Sequence, residues 1–202
     1  MSDTTIQLLT QPTETDDERL ASLHAALVRR ATSEALVDTT YRIVDSPVGR
    51  LLLAATDSGV VRVAYEVEDH DQVLDTLGTT IGSRILRGGD RLDELARELD
   101  AYFGGRRRSF DVPLDLRLAH GFRLAVLRHL SEIPYGATES YGQVAVAAGS
   151  PRAVRAVGSA CATNPLPIVV PCHRVVRSDG TLGGYLGGLP VKERLLALER
   201  AA

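Results

Sequence analysis

The chain has 202 residues, 44% hydrophobic and 24% charged, the balance of an ordinary globular protein rather than a disordered or fibrous one. Two cysteines, Cys161 and Cys172, are too few for a disulfide framework or a four-thiolate zinc site. No apolar run reaches the roughly 18 residues of a membrane span, and Met1-Ser-Asp-Thr-Thr lacks the pattern of a secretory leader, so a cytoplasmic location and no membrane partner are expected.

The net charge of −3 hides an asymmetry. Residues 1–100 carry 10 arginines against 19 acidic groups, whereas residues 101–202 carry 13 Lys and Arg against 7. A basic half on an acidic chain hints at an anionic partner for that half.

In chain order, residues 1–40 read as an N-terminal extension, polar to Thr15 and then helical from Asp16 to Leu36. Leu20, Leu23, Leu27 and Val28 form its stripe, and Asp16, Asp17 and Glu18 favour its first turn. Residues 41–117 read as a small α/β domain. Tyr41–Asp45 and Arg50–Ala55 form a hairpin about Ser46-Pro-Val-Gly. Asp57-Ser-Gly turns into a strand over Val60–Tyr65. A helix is predicted over Asp90–Phe103, with Leu92, Leu95, Leu99 and Phe103 aligned and Gly104-Gly105 ending it.

Residues 118–202 read as a mostly helical domain. A short helix spans Phe122–Leu130. Ser140, with Gln143 three residues on, opens another as a capping box that runs to Ala148. Ser150 is the expected cap, and Pro151 the first turn, of a following helix through Cys161. The two make a helix-turn-helix. Asn164–Pro171 is too rich in proline for a helix, and a last helix is predicted from Pro190 to Arg200. The fold class is α+β, an antiparallel sheet domain packed on a winged-helix-like helical domain.

Two features carry chemistry. In Pro171-Cys172-His173-Arg174 a thiol is followed by an imidazole and a guanidinium, groups that help make a thiolate. Adjacent side chains diverge, so a bridging water is the economical link between Cys172 and His173, and Glu199 is a candidate for the acid that orients the imidazole. The second feature is the helix-turn-helix, with Arg152 and Arg155 on its second helix and small residues Ala153, Ala156, Gly158, Ser159 and Ala160 on the same face. Such a face can approach DNA or another helix closely. Cys161 lacks the flanking groups of Cys172 and reads as a packing residue.

Together with Ile133-Pro-Tyr-Gly, Asn164-Pro-Leu-Pro-Ile-Val-Val-Pro-Cys-His-Arg-Val and Gly183-Gly-Tyr185, these features make residues 118–202 resemble the O6-alkylguanine-DNA alkyltransferases. The likeness is fainter over 41–117 and absent over 1–40. It implies that Cys172 accepts the alkyl group, His173 acts on it through water, Glu199 holds the imidazole, Asn164 pins the turn, and Tyr185 helps protonate the departing guanine. It further implies that Arg155 enters the stack in place of the flipped base and Tyr141 presses on the 3′ phosphate. Arg152 is expected at a phosphate. Pro167, Val175, Leu186 and Gly187 would line the substrate pocket. The implied partner is double-stranded DNA containing alkylated guanine, bound by a monomer with scope for cooperativity, and no cofactor is implied.

Where the family usually has Thr-Pro-Phe-Gln and a tryptophan, this chain reads His120-Gly-Phe-Arg-Leu-Ala-Val-Leu, and it has no tryptophan at all. Some members bind zinc in the N-terminal domain. Residues 1–100 contain no cysteine and only His24 and His70, so no metal is expected. A non-enzymatic lesion binder of the same fold is the main alternative, and the presence of Cys172 argues against it. A helix-turn-helix regulator would need a further domain, and a thiol hydrolase would not need the DNA-reading motif.

Overall fold

The computed structural model describes residues 14–201. The polar stretch expected before Thr15 therefore lies almost wholly outside the described residues. The extension forms α1 (Glu14–Ser33), which ends three residues before the predicted Leu36, with Ala35 in the left-handed region (φ 54°). Of its leucine stripe only Val28 is buried.

Strands β1 (Thr39–Val44), β2 (Leu51–Ala55) and β3 (Val60–Tyr65) form the expected antiparallel meander. A short strand, β4 (Ile85–Arg87), adds to β1 in parallel, giving the order β3-β2-β1-β4. The sequence reading missed β4 and the helix before it, α2 (His70–Thr80). The helix signal was present: Asp69 caps α2 by accepting from the backbone N–H groups of Asp71 and Gln72, and Val73 and Leu77 lie one turn apart on its buried face. Helix α3 (Asp93–Phe103) follows the predicted stripe, with Leu92 just ahead of its first residue.

Central strand β2 is buried on both faces, and its alternation sorts the core. Leu52 and Ala54 pack with Val73 and Leu77 of α2. Leu51, Leu53 and Ala55 face the other way, into one core shared with α3 and the C-terminal half, including Val126, Leu127, Leu166, Val170 and Leu195. The two halves are thus welded through apolar contact.

The C-terminal half contains α4 (Gly121–Leu130), β5 (Glu139–Ser140), α5 (Tyr141–Ala147), α6 (Val154–Ala162), β6 (Val175–Val176) and α7 (Leu189–Ala201). The capping box on α5 is formed: Ser140 Oγ accepts from Gln143 N, and Gln143 Oε1 accepts from Ser140 N at 2.7 Å. The predicted start of α6 is corrected. Ser150 N donates to Ala145 O and Gly149 N to Val146 O, so Ser150 closes α5 in a Schellman arrangement instead of capping α6. Helix α6 begins at Val154, after a turn that contains Pro151 and Arg152.

Candidate active site

The loop Asn164–Pro171 is organised by one side chain. Fully buried Asn164 accepts from Leu166 N at 3.0 Å, and its Nδ2 donates to Val170 O at 2.8 Å and toward Cys172 Sγ at 3.2 Å. One amide therefore ties both ends of the loop to the thiol. The ties also hold Ile168, a β-branched residue, at φ 74°, where strain of ~1–3 kcal/mol is usual. Cys172 then opens a single 3-10 turn, Cys172–Arg174, and is 1% exposed.

Behind that turn, Glu199 from α7 collects donors from three parts of the chain. Its carboxylate accepts from His173 Nε2 at 2.8 Å, from Tyr102 Oη at 2.7 Å, from Gly136 N at 3.1 Å, and from Arg174 through Nε and Nη2 at 2.9 Å each. Burial alone would raise this carboxyl, but the His173, Arg174 and Tyr102 hydrogen bonds outweigh it and hold it well below the usual carboxylate range. An ionised Glu199 fixes the proton of His173 on Nε2. The opposite nitrogen, Nδ1, is buried and has no hydrogen-bond partner among the described residues.

The sequence placed a guanidinium beside the thiol. In the fold Arg174 is committed to Glu199 and to Ile133 O, at 2.6 Å, and its charge is spent there. The cation nearest in effect to the thiol is Lys192, the chain's single lysine, which is fully buried and donates to Val175 O at 2.6 Å. Burial pushes the Cys172 thiol up to about 11, with the Asn164 hydrogen bond and the Lys192 charge offsetting part of the rise. Burial also pulls His173 down, against the pull of Glu199. The resting pair is a neutral thiol and a neutral imidazole.

Tyr185 closes the opposite side. Its ring stands edge-on to His173, with centroids 6.4 Å apart, and its hydroxyl meets Tyr65 Oη at 2.7 Å. Burial keeps both phenols protonated. The glycines around Tyr185 permit this closeness: a Cβ on Gly187 would lie 2.9 Å from Tyr65 Cε2, and one on Gly183 would overlap the Tyr141 ring.

Tyr65, Tyr102 and Lys192 were not singled out from the sequence. Tyr102 carried a signal, since it extends the buried stripe Leu95–Leu99 of α3. Tyr65 is the last residue of a strand, and only the tertiary pairing aims it at Tyr185.

On the helix pair, Arg152, Arg155, Ala156 and Ser159 are exposed, and Ala153 and Gly158 are partly so. Arg152 lies in the turn and Ala153 at the N-cap, both ahead of the helix on which they were expected. Ala160 and Cys161 turn into the core. Among the predicted pocket residues, Pro167 and Val175 are buried near the thiol's own loop and turn. Leu186 instead lines a groove of about 540 Å³ with Arg62, Glu68 and Pro165, between α2 and the C-terminal half.

A buried thiol backed by an imidazole–carboxylate pair, in a half that also carries a helix-turn-helix with exposed Arg152 and Arg155, is the constitution of a group-transfer protein that handles nucleic acid. Comparison with known proteins sharpens this. Residues 39–116 match the family model for the 6-O-methylguanine DNA methyltransferase ribonuclease-like domain, and residues 121–201 match that for its DNA-binding domain. A methylated-DNA–protein-cysteine methyltransferase of Mycolicibacterium paratuberculosis is 46% identical over 160 residues, covering 79% of this chain and 92% of that protein. The crystal structure of the Mycobacterium tuberculosis O6-methylguanine methyltransferase superposes with a TM-score of 0.71 at 38% identity, covering 81% of this chain and 93% of that one. The same organism's protein in complex with DNA gives 0.69 at 40% identity, covering 80% and 93%. The chain belongs to the 6-O-methylguanine DNA methyltransferase family. Helix α1 lies outside the residues that either family model matches.

Proposed function

We propose that this protein repairs DNA directly, moving the alkyl group of O6-alkylguanine, and of O4-alkylthymine, onto Cys172 in one turnover. The observation that carries the reading is the Cys172 thiol held by Asn164 at 3.2 Å next to the buried His173–Glu199 pair, in a chain of this family. The alkyl carbon of a paired guanine is shielded by the stack, so the nucleotide must be rotated out, at a cost of a few kcal/mol. Tyr141 presses the 3′ phosphate, Arg155 fills the vacated place in the stack, and Arg152 holds a phosphate. Pro167, Val175 and Gly187 border the extruded base.

The thiol proton passes through water to His173 Nδ1, and Glu199 stabilises the imidazolium. The sulfur then attacks the alkyl carbon: the S–C bond forms as the C–O bond breaks, and the electron pair leaves on guanine. Tyr185 Oη donates a proton to that guanine, and Tyr65 Oη is in place to return one to Tyr185. Water then carries the imidazolium proton to the phenolate left on Tyr65, so the balance closes with protein groups, water and substrate alone. The product is a thioether, which none of these groups can hydrolyse, so each chain acts once.

Incubation with duplex containing one O6-methylguanine, followed by intact mass and peptide mapping, tests this. The expected result is one methyl per chain, on the Cys172 peptide, saturating at a one-to-one ratio. Retained binding without mass gain would instead make the protein a lesion binder.

A further inference from the structure

Helix α1 is 20 residues long, yet the body of the protein covers little of it. Val28 lies against Gly88 and Gly89, and His24 Nε2 donates to Arg87 O at 2.7 Å. From Asp16 to Arg30, Val28 alone is buried. Beside that contact runs a second seam, Asp16, Leu20, Leu23, Leu27 and Arg30, at the four- and three-residue steps of a helix-pairing stripe. Its leucines are 67%, 60% and 58% exposed. A helix of this length draws most of its stability from packing an apolar face, and the three leucines of this face stay mostly exposed among the described residues.

The charges say what would cover it. The first turns carry Asp16, Asp17 and Glu18 against Arg19. The last carry Arg29 and Arg30, with Arg30 in an exposed pair with Glu34 at 2.9 Å. Such an i,i+4 surface pair contributes little and yields readily to a better partner. A helix that is acidic at one end and basic at the other is complementary to itself when inverted, and repels itself in parallel.

We propose that α1 is a self-association surface, on which two copies of this chain pair antiparallel. Leu20, Leu23 and Leu27 of each form the seam, and each acidic end meets the other's Arg29 and Arg30. The inverted arrangement places the two copies about a two-fold axis near Leu23, the usual symmetry of a homodimer. One helix per copy is a small interface, so the dimer is weak and reversible. It departs from the monomer expected from sequence, and it does not depend on the alkyl-transfer assignment.

Sedimentation equilibrium on the full chain tests it. The weight-average mass should climb with concentration from the 21.7 kDa of one chain toward twice that value, and less so in high salt. Leu20→Gln/Leu23→Gln/Leu27→Gln, which keeps good helix formers along α1, should hold the mass at one chain. Circular dichroism of that variant reports that the helix survives. Asp17→Lys/Glu18→Lys and Arg29→Glu/Arg30→Glu should each be monomeric alone and associate when mixed. A wild type that stays monomeric at every concentration overturns the proposal. So does a glutamine variant that associates like wild type, or charge variants that each self-associate undiminished. Methyl uptake serves as the independent readout and should be equal in all variants.

Discussion

The polar cluster around Glu199 and the outer face of α6 stand at opposite extremes of the same half of the molecule. Glu199 is 3% exposed and accepts from five donor atoms, His173 Nε2, Tyr102 Oη, Gly136 N, and Arg174 Nε and Nη2. Arg152 and Arg155 are exposed, and no hydrogen bond or ion pair holds either guanidinium among the described residues. Buried charge is tolerable only when its partners are present in the fold itself, because nothing else arrives to compensate it. Exposed charge on a face of small residues is left for a partner to neutralise. The first region is therefore complete in the fold itself, and the second is the face that, on the function proposed above, DNA would complete. Changes in the first should appear as lost stability, and changes in the second as lost binding or extrusion.

The largest effect belongs to the buried cluster. Glu199→Gln keeps the shape but leaves the Arg174 guanidinium buried without its counter-charge, a defect of about 3–5 kcal/mol. A urea titration should show the midpoint fall accordingly, with methyl uptake lost as well. An unfolding free energy within about 0.5 kcal/mol of wild type, the range of an ordinary surface change, would show the cluster to be no more demanding than α6.

Arg155→Ala should do the reverse. Its stability should match wild type, while single-turnover transfer from duplex slows by about a hundredfold or more, since a few kcal/mol of unstacking goes uncompensated and each 1.36 kcal/mol is tenfold. Reaction with free O6-benzylguanine needs no extrusion and should be nearly unchanged if the pocket admits it. Equal loss on both substrates would remove the arginine from the stack and assign it to the fold.

Much of this contrast was legible in the sequence, for reasons that differ by residue. Cys172, His173 and Asn164 lie within one short stretch rich in proline, where local chemistry and local geometry coincide. Ser140 and Gln143 announced their capping box by spacing. The stripe of α3 signalled that Tyr102 is buried, but its role and that of Lys192 were opaque because they exist only after α3 and α7 pack against the Cys172 turn, from 70 residues upstream and 20 downstream. Ser150 was misleading for a physical reason: a serine before proline suits a helix start, but its N–H was already taken by the end of α5. Helix α2 was overlooked although Asp69 signalled it.

The pH dependence of stability separates two histidines. His173 is held below its ordinary value by burial, so the unfolded chain binds its proton more readily. Stability from this residue is present above the unfolded value near 6.5 and falls as the medium is acidified below it. Burial would also lower His129, but hydrogen bonds to Glu139 and Glu132 outweigh that and raise it. Its contribution is present below the unfolded value and is lost as pH rises through the folded one. The His173 contribution thus changes below the unfolded value near 6.5 and the His129 contribution above it. His129→Gln should therefore remove the part of the urea-midpoint loss that His129 contributes as pH rises above about 6.5. A loss there as steep as in wild type would mean that the pair with Glu139 is not formed in solution.

A smaller and purely electrostatic effect is expected at Arg152. Arg152→Ala should weaken binding to damaged and undamaged duplex alike and reduce the slope of log affinity against log salt by about one, the signature of one lost phosphate contact. An unchanged slope with weaker binding would indicate base contact instead.

The smallest effect should come from Cys161→Ala, and it tests where α6 divides inside from outside. Cys161 shares a helix with Arg155 and Ser159 but faces the core, 6% exposed, and burial pushes its thiol well above the ordinary range. It has neither the Asn164 hydrogen bond nor the flanking imidazole of Cys172, so burial raises it further and leaves it harder to ionise than Cys172. Exchanging it for alanine removes one sulfur atom from packing, a change of about 1 kcal/mol, typical of a point substitution. Methyl uptake from duplex should remain within a few-fold of wild type, and all of it should map to Cys172. If Cys161→Ala abolished uptake while Cys172→Ala preserved it, the acceptor would be the wrong cysteine. The Asn164–Cys172 contact would then be a packing detail of the loop.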